Sequence, residues 1–128
     1  MTTIREIMSA ELVTIEPTAT LMEAAAVMSK GEAGSALVFR EDRLAGIFTE
    51  RDIMRALAHY PMADEARVSS VERWMTTDPV TIAPDATVGE ALDHMLSAGF
   101  RHLPVTEGAE VVGVISLRDL AKSTAKEG

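Results

Sequence analysis

Residues 4–56 lie over residues 71–123 at a constant offset of 67 without a gap. The identical pairs are Met8/Met75, Val13/Val80, Thr14/Thr81, Ile15/Ile82, Pro17/Pro84, Ala19/Ala86, Thr20/Thr87, Glu23/Glu90, Ala24/Ala91, Met28/Met95, Val38/Val105, Gly46/Gly113, Arg51/Arg118 and Asp52/Asp119. Conservative pairs such as Ile4/Val71, Ile47/Val114, Thr49/Ser116 and Ile53/Leu120 fill the spaces between them. Identity in runs such as Val-Thr-Ile, all in one register, points to a tandem duplication rather than accident. Two copies are too few for a solenoid, whose units bury their faces only by stacking in longer arrays. The expected solution is two similar lobes packed face to face over a shared core.

Each copy predicts the same order of elements. A short helical turn opens it (Ile4–Met8 or Val71–Met75), followed by a β-branched strand at Val13–Ile15 or Val80–Ile82. Pro17 or Pro84 breaks the chain before a helix. Thr20 and Thr87 are suited to N-capping, and Glu23 and Glu90 three residues on complete a capping box. Leu21, Ala24, Ala25 and Met28 recur at helical spacing, as do Val88, Ala91, Leu92 and Met95, with Gly31 and Gly99 near the helix ends. Two apolar runs then flank a polar turn: Ala36–Phe39 and Leu44–Phe48 in the first copy, Leu103–Val105 and Val111–Ile115 in the second. A last helix starts near Thr49 or Ser116. The pattern predicts a mixed α/β chain of the α+β class, with helices outside two small sheets. Residues 57–70 are expected to be a polar connection and 124–128 a frayed tail.

Composition narrows the function. The chain has 128 residues, one ordinary domain in size. Aromatic residues are only 4% of it, so the core must be aliphatic, with Met filling gaps. There is no Cys, which excludes disulfides, thiolate zinc sites and thiol catalysis. The net charge of −8 repels phosphate backbones, so nucleic-acid binding is not expected. No apolar run approaches a membrane span and the N-terminus is not of the secretory type, so a soluble cytoplasmic protein is expected. His59, His94 and His102 lack ligand spacing, so no metal site is predicted. No acid–base pair is positioned by motif, so an enzyme is not predicted.

With these residues in view, the chain resembles a pair of CBS domains, the Bateman module, in its stand-alone form. The likeness is carried by Met8-Ser9, Val13-Thr14-Ile15-x-Pro17, Thr20-Leu21, Ala24, Met28 and Gly46-Ile47-x-Thr49-x-x-Asp52, each with its partner 67 residues on. It spans Ile4 to about Ser123. The resemblance implies two tandem β-α-β-β-α repeats packed through their small sheets with pseudo-two-fold symmetry: repeat 1 over 1–60, a connector over 61–70 and repeat 2 over 71–123. It also implies a non-enzymatic, signalling or regulatory module. Its effector would be an adenosine-containing ligand (AMP, ADP, ATP, NAD or S-adenosylmethionine), with no catalytic cofactor. A homodimer formed through the helices is implied, and an unidentified protein target is open.

Two readings of the "TERD" and "SLRD" junctions stay open. Thr49 and Ser116 suit helix N-caps with Asp52 and Asp119 reaching back. A helix N-terminus also suits a phosphate. The resemblance assigns the Asp to ribose hydroxyls, the Ser/Thr to ribose or phosphate, and the apolar residue two places earlier to adenine. It further implies that each site takes its junction from one repeat and its strand start from the other, in clefts between the two. One nucleotide site would then gather Ile47, Thr49 and Asp52 with Val80, Phe100, Arg101 and His102. The second would gather Val114, Ser116 and Asp119 with Val13, Ala33, Gly34 and Ser35. Only the first set has cations at its strand start, so it is expected to prefer a phosphorylated ligand. Arg51 and Arg118 are candidates for phosphate contact. If the junctions are caps alone, the chain is a ligand-independent oligomerisation or interaction module.

Overall fold

The computed structural model describes residues 2–127. Its elements are α1 (Ile4–Ile7), β1 (Thr14–Ile15), α2 (Leu21–Lys30), β2 (Ser35–Arg40), β3 (Arg43–Thr49), α3 (Glu50–His59), α4 (Ala63–Val68), α5 (Val71–Trp74), β4 (Thr76–Thr77), α6 (Val88–Ala98), β5 (His102–Glu107), β6 (Glu110–Ser116) and α7 (Leu117–Glu127). This is a mixed α+β chain with the two repeats in tandem.

Local chemistry explains most of these boundaries. The Thr20 hydroxyl accepts the Glu23 N–H at 3.1 Å, and the Glu23 carboxylate accepts the Thr20 N–H at 3.1 Å. The Thr20 N–H and hydroxyl both donate to that carboxylate and hold the Glu23 carboxyl below the usual carboxylate range. Thr87 and Glu90 form the same box at the start of α6. Gly99 ends α6 in the left-handed region at φ 79°, where a side chain would be strained. At the end of α2 the pattern shifts by one residue: Gly31 has φ −83° and Glu32 takes the left-handed φ of 52°. The β2–β3 hairpin turns on Glu41 and Asp42, both with positive φ, as a two-residue turn that follows strand twist requires.

Four-stranded pairing follows in the order β1-β2-β3-β4, with β1 parallel to β2 and the other neighbours antiparallel. The β5–β6 ladder repeats it with single bridges at its margins: Ile82 pairs parallel with Val105, and Ser9 pairs antiparallel with Val114. The strand expected at Val80–Ile82 therefore shrinks to one bridging residue. Pro104 sits inside β5, buried, with its carbonyl accepting the Ile82 N–H at 3.1 Å. Its missing N–H thus falls on the Ile82 side and leaves the β5–β6 ladder intact.

The compact units are cut differently from the sequence repeats. One unit is residues 13–79; the other joins residues 1–12 to 80–128. In the first, α5 and β4 from the start of repeat 2 close the edge of the repeat 1 sheet. In the second, α1 and Ser9 from the start of repeat 1 do the same for β6. Each unit has a core of its own, and each takes one residue from the opening turn of the other repeat, Val71 in the first and Ile4 in the second. Leu21, Ala24, Met28, Ala36, Val38, Phe48, Ala56, Ala66 and Val71 form one; Ile4, Ile82, Ala91, Met95, Leu103, Val105, Ile115 and Leu120 form the other. Sheet and helix bury their apolar faces once an opening turn covers the remaining side.

Charge specifies which opening turn goes where. Arg40 meets Glu72 at 3.0 Å in the first unit, and Arg5 meets Glu107 at 2.8 Å in the second. The duplication lays Arg5 over Glu72 and Arg40 over Glu107, so one bridge is the other with its charges exchanged. A turn placed on its own repeat's sheet would set Arg5 against Arg40 and Glu72 against Glu107. Both bridges are solvent-exposed and therefore weak; one of the Arg40–Glu72 kind contributes up to about 1 kcal/mol. Arg40→Glu is expected to lower the urea-unfolding free energy by about that amount, and Glu72→Arg in the same chain to restore it, in a double-mutant cycle.

Two regions differ from expectation. The segment 57–70 is mostly helical: α3 runs on to His59, and α4 follows with Asp64 and Glu65 in its first turn and Arg67 in its last. Ala66 anchors α4 in the core. The expected tail from residue 124 is also helical, because α7 continues to Glu127; Gly128 lies outside the described residues.

Candidate functional site

Each repeat ends its hairpin on a strand that runs straight into a helix. Thr49 closes β3 with extended backbone (φ −129°, ψ 168°) and caps α3. Its N–H and hydroxyl both donate to Asp52 Oδ2, at 2.9 and 3.3 Å. The other carboxylate oxygen, Oδ1, accepts from Arg55 Nη1 at 3.0 Å. Asp52 is only 4% exposed, so this ion pair is partly shielded from water. In the second repeat the Ser116 N–H and hydroxyl donate to Asp119 Oδ2 at 3.0 and 2.8 Å. The Asp119 N–H returns a bond to Ser116 Oγ at 3.1 Å. Among the described residues nothing donates to Asp119 Oδ1.

The strand starts lie beside these junctions because of antiparallel register. Ser35 pairs with Thr49, and the Gly34 carbonyl accepts the Glu50 N–H at 3.1 Å. His102 pairs with Ser116, and the Arg101 carbonyl accepts the Leu117 N–H at 2.8 Å. In both cases the first N–H of the helix is satisfied by the strand start of the same repeat. Ile47 and Val114 lie two residues before the caps and so share a strand face with them.

The unit of residues 13–79 contains Ile47, Thr49 and Asp52, expected at one site, as well as Val13, Ala33, Gly34 and Ser35, expected at the other. Val13 is held there by its carbonyl, which accepts the Leu37 N–H at 2.8 Å, and Ala33 by its N–H, which donates to Met28 at 2.9 Å. Ser35 and Ile47 are buried. The other unit holds Val114, Ser116 and Asp119 with Phe100, Arg101 and His102. Phe100 packs against its core, Arg101 is exposed and His102 is half-buried. Val80 belongs to this unit as well, as an exposed side chain two residues before Ile82. Hydrogen bonding within each unit therefore joins a junction to the strand start of its own repeat. Arg51 and Arg118 are both exposed on the first turns of α3 and α7.

The residue that sequence reasoning passed over is Arg55. Its spacing from Asp52 is i,i+3, a pairing that helix geometry favours. Its guanidinium also lies 5.6 Å from the centroid of Trp74, the one tryptophan, in cation–π range. Trp74 in turn donates from Nε1 to Ser69 Oγ at 3.0 Å and meets His59 and Tyr60 edge-on. Tyr60 shares a hydrogen bond with the same Ser69 hydroxyl. His59, Tyr60 and Trp74, unconnected in sequence reasoning, form one cluster behind the Asp52 junction. At the second junction the duplication puts Lys122 in place of Arg55 and Ile7 in place of Trp74.

Comparison with known proteins places this arrangement. A family model described as CBS domain matches residues 4–59 and 68–126. An uncharacterized 17.7 kDa protein of Acidianus ambivalens is 36% identical over 124 residues, covering 95% of this chain and 73% of that protein. The crystal structure of the CBS-domain containing protein ATU1752 from Agrobacterium tumefaciens has a TM-score of 0.89 at 28% identity, over 96% of this chain and 99% of that one. The CBS domain pair of protein MJ0100, solved with 5′-methylthioadenosine and S-adenosyl-L-methionine, has a TM-score of 0.88 at 25% identity, over 99% and 98% of the two chains.

Proposed function

The chain belongs to the CBS domain family, and we propose that it is a non-enzymatic regulatory module that senses an adenosine-containing ligand at its two strand-to-helix junctions. The observation that carries this reading is the Asp119 carboxylate. One oxygen is fixed by the cap while the other has no donor among the described residues, which leaves a spare acceptor in the first turn of α7. A ribose diol supplies the missing donors. Ser116 holds the carboxylate in place, and the apolar Val114 on the same strand face suits the flat face of a base. The adenosyl ligands bound by the MJ0100 pair support this class of effector. Thr49, Asp52 and Ile47 would play the same parts at the other junction.

The candidates for the effector are AMP, ADP, ATP, NAD and S-adenosylmethionine. Arg101 and His102 supply the cationic surroundings for a phosphorylated one, with Arg51 and Arg118 as further phosphate contacts. Signalling through a homodimer and a protein target in the cytoplasm completes the proposal. No helix among the described residues is long and apolar enough to cross a membrane. Any switch needs the ligand to bind two states with different affinity.

A ligand-independent interaction module is the competing reading, and the junctions favour it in one respect: Thr49 with Asp52 and Ser116 with Asp119 already satisfy each other as caps. Calorimetry separates the two. Titrating AMP, ATP, NAD and S-adenosylmethionine into the chain is expected to give saturable heat with at least one of them. No heat from any of them at millimolar concentration would leave the interaction module standing.

A further inference from the structure

We propose that Arg55 makes the two junctions unequal, so that the Asp119 junction takes a nucleoside first and the Asp52 junction binds only in competition with Arg55. This rests on the sensing role proposed above and adds its order of occupancy. The duplicated caps are nearly superimposable in their bonding: each carboxylate receives a backbone N–H and a hydroxyl on Oδ2. They differ at Oδ1. Asp52 Oδ1 is held by the Arg55 guanidinium at 3.0 Å, whereas Asp119 Oδ1 has no donor among the described residues. A diol approaching Asp119 adds hydrogen bonds. A diol approaching Asp52 must displace or share a charge-assisted one, made by a carboxylate that is 4% exposed.

Arg55 is held in that position from its other side. Its guanidinium stacks on Trp74, which is itself pinned through Nε1 to Ser69. The second repeat has neither feature, because Lys122 and Ile7 stand at the matching positions. Lysine is a point charge without the planar fork or the stacking face of arginine, so it is poorly suited to the same clamp. Displacement of Arg55 also moves a cation off the only indole in the chain. Trp74 emission therefore reports occupancy of the Asp52 junction.

The test uses adenosine, which carries no phosphate and so cannot gain from arginine as an anion partner. Calorimetry on the full chain is expected to resolve a tighter event lost in Asp119→Ala and a weaker one lost in Asp52→Ala. The weaker event should change Trp74 emission, and Arg55→Leu should abolish that change. Arg55→Leu should tighten the weaker event about tenfold, equivalent to about 1.4 kcal/mol. The reciprocal Lys122→Arg, which leaves the Asp52 unit untouched, should weaken the tighter one and keeps the proposal testable if Arg55→Leu misfolds. Equal events, a tighter event that depends on Asp52, or affinities unmoved by both substitutions would overturn the order proposed here while leaving the sensing role intact. Absence of any adenosine, AMP or S-adenosylmethionine binding in every variant would overturn the sensing role itself.

Discussion

Gly46→Val is expected to destabilise the chain by about 1–3 kcal/mol, seen as a lower urea midpoint with an unchanged slope. A Cβ on Gly46 would come within 2.7 Å of both Met75 Sδ and the Thr76 carbonyl oxygen. The thioether can swing away, but the carbonyl belongs to the ladder between β3 and β4 and cannot move without breaking it. Valine adds two methyl groups to that clash. Gly113→Val should behave alike, since a Cβ there would meet Met8 Sδ at 2.6 Å and the Ser9 carbonyl oxygen at 2.8 Å. Gly89 is the control: a Cβ there would approach only the Thr87 hydroxyl, at 3.8 Å, so Gly89→Ala should be neutral or should stabilise α6 by up to about 1 kcal/mol. The repeated glycine of the junction motif is thus explained by the close approach of an opening segment from the other repeat. A left-handed backbone plays no part in it.

Asp119→Ala is expected to have its largest effect on binding. Hydrogen bonds from ribose hydroxyls to a carboxylate contribute about 1.5–3 kcal/mol each, so affinity for AMP should fall about ten- to a hundredfold for the loss of one and further for the loss of both. The same change removes the partner of the Ser116 N–H and hydroxyl, which as a cap is worth about 0.5–2 kcal/mol of stability. Measuring both quantities on one variant separates the roles. A cap alone predicts a lowered urea midpoint with AMP affinity unchanged, whereas a ribose ligand predicts a collapse of affinity beyond anything the stability loss accounts for. Asp119→Asn should keep most of the cap and show an intermediate affinity, because the amide retains an acceptor oxygen without the charge.

Much of this fold can be read residue by residue. The capping boxes at Thr20 and Thr87, the hairpins around Glu41–Asp42 and Gly108, and the caps at Thr49 and Ser116 are all local, and each is written in side chains a few positions apart. The exchange of opening turns is not local. Ile4 and Val71 are equally apolar, so hydrophobic pattern cannot say which core takes which. The reversed charges of Arg5 and Glu72 against Arg40 and Glu107 do carry that information, but only once the pairing is known. Helix α4 is hidden because it is short and polar and buries little besides Ala66. At the candidate site, the junction residues follow from the duplication. Arg55 was legible from its i,i+3 spacing to Asp52, yet its hold on Trp74 depends on α5 packing beside α3, a contact between segments far apart in the chain.

Native mass spectrometry of the purified chain incubated in turn with AMP, ATP, NAD and S-adenosylmethionine tests the central claim most directly. The sensing account predicts a population shifted by the mass of one or two molecules of at least one of them, abolished in the Asp52→Ala/Asp119→Ala double variant, whose fold is checked by its urea midpoint. A chain that stays bare in millimolar concentrations of all four, or one whose adducts survive loss of both carboxylates, would contradict it.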